Sequence, residues 1–172
     1  MQATFLIGVP GVGKSTFIHN YSPDLNTTYI YSSDAQVEKY ALEQGKTYDE
    51  VWSDYVDTAQ AIINEELREA IKARKDLIID RTNLTAKARR RIISQLPKSY
   101  DEIVAIVFRM PESEEDKIEH ERRLNSRPGK TIPMYVIEQM KSTYQKPTFE
   151  EGFTEIRYID MYQSEFETEV AA

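Results

Sequence analysis

Residues 8–15 read GVPGVGKS, and this octapeptide carries the plainest chemistry in the chain. It matches G-x-x-x-x-G-K-[ST], the loop whose successive backbone N–H groups surround a phosphate. Gly8, Gly11 and Gly13 give that loop unusual dihedrals, and a helix opening near Ser15 adds the positive end of its dipole. Lys14 supplies a mobile cation for the β- and γ-phosphates, and the Ser15 hydroxyl is of the right kind to ligate Mg²⁺. Gly8, Gly11, Val12, Gly13, Lys14, Ser15 and Thr16 are therefore expected to bind the nucleotide, with ATP and Mg²⁺ as cofactors. No Asn-Lys-x-Asp base-reading segment follows, so a GTPase is disfavoured. A kinase acting on a small or accessible acceptor is the economical reading.

Phosphoryl transfer also needs a group that receives the acceptor's proton and a cation that neutralises the moving phosphoryl group. Asp34 follows the apolar run TYIY, and Asp80 closes DLIID. In parallel α/β sheets ligands bind beyond the carboxyl ends of the strands, so both carboxylates are site candidates. Asp34 suits a catalytic base, with a helix cap as the plainer alternative. Asp80 suits support of the Mg²⁺ site, and Arg81, Thr82 and Asn83 continue the same strand end. Arg122, Arg123, Arg127 and Lys130 lie on one charged helix and its exit loop, where an arginine can reach a transferring phosphate.

The elements that must hold these residues alternate. Strands are expected near 4–7, 28–31, 76–80, 102–110 and 153–160. Helices are expected near 15–20, 36–44, 48–74, within 82–96, at 113–127 and at 134–145. Thr47 begins a capping box with Glu50. Most strands are apolar throughout, which predicts an α/β fold: a five-stranded parallel sheet with helices on both faces. One domain is expected over residues 1–160, with an acidic, fraying tail at 161–172.

Composition constrains the partners. There is no cysteine and only two histidines, His19 and His120, which disfavours thiolate and histidine metal sites. Both histidines read as ordinary helix residues. Net charge is −7, but residues 81–130 hold 12 Lys+Arg against 8 Asp+Glu, while the remainder holds 10 against 21. A protein coating nucleic acid along its length would be basic overall, so a local basic pocket on an acidic body is the expectation. The run Arg89-Arg90-Arg91 reads first as an exposed helix surface, and Trp52, Tyr48 and Tyr55 as core more than as stacking platforms. No apolar run approaches a membrane span, and a cytoplasmic location is the simplest expectation.

GVPGVGKST, Asp34, IIDRTNLTAKARRR, RRLNSRPGKTIP and YQKPTFEEGFTEI resemble, in that order, the kinase domain of polynucleotide kinases. Those enzymes phosphorylate 5′-hydroxyl ends of DNA and RNA. The resemblance reaches about residue 160, and its most specific parts are Asp-x-Thr-Asn at 80–83 and Pro-Thr-x-x-Glu-Gly-Phe at 147–153. It implies Lys14 and Ser15 for triphosphate and magnesium, Asp34 as general base, and Asp80 and Thr82 at the active-site strand end. It implies a P-loop kinase fold with a helical lid at about 113–133, Arg127 being the lid arginine and Arg123 a second lid arginine toward the nucleotide. It further implies a nucleic-acid substrate, DNA ahead of RNA. The chain departs from phage relatives at Val37, where an arginine grips the phosphate beside the acceptor sugar. A clamp from Arg81 or from Arg89–Arg91 is the alternative. Two other acceptors stay open: the hydroxymethyl group of 5-hydroxymethyluracil, as in small phage DNA kinases, and a metabolite or nucleotide.

Overall fold

The computed structural model describes residues 1–162 and the backbone of 165–170. Its strands are β1 (Gln2–Ile7), β2 (Thr28–Tyr31), β3 (Asp76–Asp80), β4 (Glu102–Phe108), β5 (Glu155–Asp160) and β6 (Glu165–Val170). The helices are α1 (Lys14–Tyr21), α2 (Ser33–Glu43), α3 (Tyr48–Lys72), α4 (Ala86–Ile93), α5 (Glu114–Asn125) and α6 (Met134–Ser142), with a 3-10 turn at Phe149–Glu151. The sheet order is β2-β3-β1-β4-β5-β6, and the first five strands are parallel.

The expected five-stranded parallel sheet is present, but it carries a sixth strand. β6 pairs antiparallel with β5, from Glu155 opposite Val170 to Asp160 opposite Glu165. The fraying tail expected at 161–172 is thus corrected over 165–170. The segment EFETEV alternates polar and apolar residues with period two, which is a strand signal. Its acidic composition hides that signal, and the free edge of β5 gives it a partner.

The apolar strands are buried on both faces, as parallel strands between helical layers must be. Phe5 and Ile7 join Leu77, Ile79, Val107 and Ile156 in one cluster with Ile63 and Leu67 of α3 and Ile92 of α4. Leu6, between them, faces the other way with Ile78, Ile106 and Phe108, against Leu124 of α5 and Ile137 of α6. One strand thereby serves two cores through its period-two alternation. A third cluster, Val37, Ala41, Val51 and Ala59, binds α2 to α3. Full burial of such a side chain contributes about 1.5–3 kcal/mol.

Order in the sheet matters for function. β3 lies between β1 and β2, with Leu6 level with Asp80 and Tyr31 level with Ile79. The loops after β1, β3 and β2 therefore open side by side at one edge, and Lys14, Asp80 and Asp34 leave from those loops.

Candidate active site

The loop between β1 and α1 is shaped by backbone that only glycine adopts without strain. Gly11 has φ +88, and a Cβ there would lie 2.8 Å from Nε2 of His120. Gly13 caps α1 in the left-handed region, with no side chain over the first N–H groups. Gly8 has a packing role: its amide donates to the Thr82 carbonyl at 3.0 Å, which ties this loop to the end of β3. Gly8 and the fully buried Val12 back the loop, whereas Gly11, Gly13, Lys14, Ser15 and Thr16 line the cleft. Lys14 Nζ donates to the carbonyls of Gly8 (2.8 Å) and Val9 (2.9 Å). Burial lowers its pKa to about 8 against the raising effect of Asp80, so a polyphosphate beside it would restore the cation.

Asp34 is not the cap of α2. The helix starts at Ser33, earlier than the expected Gln36, and the Ser32 hydroxyl accepts the Ala35 amide at 3.3 Å. That frees Asp34, in the first turn, to face the cleft with its side chain half exposed. The Tyr48 hydroxyl donates to Oδ1 at 2.9 Å, and Lys130 Nζ donates to Oδ2 at 2.8 Å. Burial pushes the Asp34 carboxyl up, but the Lys130 ammonium and the two hydrogen bonds outweigh it, and the group titrates below its ordinary value. Asp80 goes the other way: burial raises it more than Lys14 lowers it. The Ser32 hydroxyl donates to Asp80 Oδ2 at 3.2 Å and so links the two strand ends.

Lys130 reaches Asp34 because the exit loop of α5 docks on the start of α3. The Asp49 amide donates to the Gly129 carbonyl at 2.9 Å, and the Thr131 amide donates to Asp49 Oδ2 at 2.9 Å. Gly129 has φ +68, and any Cβ would meet Thr47 Cβ at 2.6 Å. Lys130 also pairs with Glu38 at 2.9 Å and sits 4.0 Å from the Tyr48 ring centroid. Lys130, on the loop after α5, is thus a partner of the candidate base, a role sequence reading missed. The signal was there, in a Lys just beyond Pro-Gly on a loop already marked as lid.

Arg127 lines the cleft and lowers the Lys14 pKa electrostatically, so the two cations face one region. Among the described residues it has no ion-pair partner. Arg123 lines the cleft while held by Glu119 (2.8 Å), the Met161 carbonyl (3.1 Å) and the Tyr162 ring (4.5 Å). Arg81 also lines the cleft, hydrogen-bonded to Gln60 and 5.8 Å from the Tyr31 ring. Thr82 completes that strand end.

Asn83, Arg89 and Trp52 depart from expectation. Asn83 is buried and does not reach the cleft; its amide donates to the carbonyls of Leu6 (2.8 Å) and Ile79 (3.0 Å), bracing β1 and β3. Arg89 is not surface: it is fully buried, forked onto Glu151 at 2.8 and 2.7 Å, and it donates to the Asn83 carbonyl at 2.9 Å. Only Arg90 and Arg91 of that run are exposed. His120 is also buried, with Nε2 2.7 Å from the Pro10 carbonyl, so it holds α5 to the phosphate loop. Trp52 and Tyr48 line the cleft, while Tyr55 stacks on Tyr40 at 3.7 Å, away from it. Val37 is fully buried between α2 and α3, where an arginine could not serve the cleft.

The cleft holds about 1580 Å³, more than the ~300–1,000 Å³ of a pocket for one small ligand. It has room for a donor and an acceptor together. Ser15 and Asp80 both border it, which fits Mg²⁺: that ion takes one or two protein oxygens and fills its shell with phosphate and water. Among the described residues no group of three His, Cys, Asp or Glu forms a full protein cage. No helix among them is long and apolar enough to cross a membrane.

The family described as an AAA domain matches residues 4–147, which include the loop after β1, Asp34, Asp80, α5 and its exit loop. The chain belongs to this family. Among curated proteins, this AAA-domain chain is similar to the bifunctional polynucleotide phosphatase/kinase of Schizosaccharomyces pombe, 28% identical over 166 residues. That match covers 92% of this chain and 33% of the yeast protein, so the chain spans about a third of that relative. Solved structures share the fold. A chain of the Pnkp1/Rnl/Hen1 RNA repair complex superposes with TM-score 0.61 at 24% identity, over 83% of this chain and 43% of its own. A chain of the PezAT toxin-antitoxin system of Streptococcus pneumoniae gives 0.59 at 16% identity, over 97% and 71%. A fungal RNA kinase gives 0.51 at 14% identity, over 95% and 77%.

Proposed function

We propose that this AAA-domain protein is an ATP-dependent kinase that transfers the γ-phosphate to a hydroxyl of a nucleic acid, the 5′-hydroxyl end of a polynucleotide. One observation carries the reading. A carboxylate, Asp34, shares a two-ligand cleft with the phosphate-loop Lys14 and the lid Arg127, and is electrostatically coupled to Lys14. A switch that only binds nucleotide needs no such carboxylate. The likeness to the yeast phosphatase/kinase supports the choice of acceptor.

In this reading the loop amides and Lys14 hold the β- and γ-phosphates. Ser15 and Asp80 would hold Mg²⁺, which when bound would supply positive charge against the phosphates. Asp34 accepts the proton of the acceptor hydroxyl as its oxygen forms a bond to the γ-phosphorus. The bond to the bridging oxygen breaks, and ADP leaves. Arg127 stabilises the charge on the phosphoryl group in flight. Asp34 is a weak base in the ground state, so its part is to orient the hydroxyl and take a proton that becomes acidic as the bond forms.

The test is transfer from γ-labelled ATP to oligonucleotides bearing a 5′-hydroxyl, in DNA and in RNA. Label at the 5′ end supports the reading. Label only on a 5′-blocked oligonucleotide with an internal 5-hydroxymethyluracil, or only on free nucleosides, would replace the acceptor. ATP hydrolysis with no labelled acceptor would sink the reading.

A further inference from the structure

We infer that Tyr48 and Trp52 form a stacking subsite for the nucleobase that carries, through its sugar, the acceptor hydroxyl. The inference rests on the kinase reading above and names what grips the acceptor in place of a phosphate clamp.

Tyr48 and Trp52 are one helical turn apart at the start of α3, where Tyr48 directly follows the Thr47 cap. Spacing i, i+4 puts them on one helix face. Their rings stack, with centroids 5.1 Å apart and planes at 29°. The core-facing residues of α3, from Val51 through Ala59 and Ile63 to Leu67, are buried, yet Trp52 is 38% exposed and lines the cleft. A large apolar ring left open at a cleft, continuous with a second ring, has area available for a planar ligand.

The location follows from one hydrogen bond. Tyr48 donates from its hydroxyl to Asp34, so the same side chain orients the base and begins the stack. A ring resting on the exposed Trp52 is joined to the proton acceptor through Tyr48, whose own ring already meets Lys130. A nucleoside fits that arrangement, with a hydroxyl on a short sugar arm beyond a flat base.

Charge disfavours a phosphate clamp beside Tyr48 and Trp52, and Arg81, across the cleft, is bonded to Gln60. This side of the cleft sets Asp34, Glu38 and Asp49 against Lys46 and Lys130. Lys130 is already paired with both Asp34 and Glu38, and Val37, three residues after Asp34, is fully buried. Stacking can supply what phosphate contacts do not, and it tolerates any base because every base has a π-face.

Trp52 is the sole tryptophan of the chain, so its fluorescence reports this subsite directly. Titration with a 5′-hydroxyl oligonucleotide should quench it saturably. The same oligonucleotide with an abasic 5′-terminal sugar should not. In the transfer assay, Trp52→Ala and the abasic end should each raise the oligonucleotide KM roughly 10-fold or more, non-additively, with the KM for ATP unchanged. Trp52→Phe should recover most of the loss. Transfer with equal KM for intact and abasic ends, unaffected by Trp52→Ala, would overturn the subsite and leave the kinase reading standing. If the wild-type protein labels no 5′ end, the kinase reading fails first and the subsite falls with it.

Discussion

Lys130, from the loop after α5, lies 2.8 Å from Asp34, in the first turn of α2, although 96 residues separate them. The contact fixes the candidate base from the lid side and sets its protonation. Burial alone would raise the Asp34 carboxyl, and Lys130 is the largest of the effects that lower it. With the lysine present, Asp34 is ionised through the neutral range and well into acid. With Lys130→Met, the opposing burial gains weight and the pKa moves up. The acid limb of the kcat–pH profile should therefore shift to higher pH in Lys130→Met. Activity at mildly acidic pH should fall more than activity at pH 8. An unchanged acid limb would mean that the pair does not persist with substrates bound.

Ser32 and Asp34 separate capping from catalysis. Ser32→Ala removes the side chain that accepts the Ala35 amide and should cost about 0.5–2 kcal/mol, read as a lower Tm. Asp34→Asn keeps that cap. It should lower kcat by ~10²-fold or more with ATP affinity largely retained. If Asp34→Asn loses stability but keeps turnover, Asp34 is structural and the proposed base is wrong.

These two residues also mark how far the sequence could be read. The phosphate loop is local, eight consecutive residues after an apolar strand, so motif and context reveal it together. Asp34 and Asp80 are legible because a parallel sheet puts functional groups after its strands. What stayed hidden is pairing across the chain. Arg89 meets Glu151 over 62 residues and His120 meets Pro10 over 110, and neither distance leaves a trace in local composition. Arg89 looked exposed because three arginines in a row suggest a solvated face. One of the three points inward, and a carboxylate from the Pro-Thr-x-x-Glu-Gly-Phe segment neutralises it. Trp52 reads as core because it is large and apolar, yet it lies beside the buried stripe of Val51, Ala59, Ile63 and Leu67 and outside it.

The lid arginines should divide by step. Arg127 has no ion-pair partner among the described residues and shares the Lys14 region, so its charge is available to the transferring phosphate. Arg127→Ala should reduce kcat by about 10³-fold with a smaller effect on ATP binding. Arg123 is already committed to Glu119, the Met161 carbonyl and the Tyr162 ring. Arg123→Ala should act mainly on the KM for ATP. Steady-state kinetics with ATP varied at saturating acceptor would distinguish them, and a reversed pattern would exchange their roles.

The buried Arg89–Glu151 fork supports the site without lining the cleft. Arg89 also donates to the carbonyl of Asn83, whose own amide braces β1 and β3 beside the phosphate loop. Arg89→Met leaves Glu151 buried and unpaired, which should cost about 3–5 kcal/mol. For a domain of this size that is a fall in Tm of roughly 10 °C. Glu151→Gln should do comparable damage, because the guanidinium loses its counter-charge. The double variant Arg89→Met/Glu151→Met should recover much of that stability, since apolar pairs of similar volume often replace buried ion pairs at little cost. Arg90→Ala and Arg91→Ala, on the exposed face of α4, should stay within about 0.5 kcal/mol of wild type. Thermal unfolding of the five variants tests this. If Arg89→Met is as mild as Arg90→Ala, the fork is not what holds the β3 end in place.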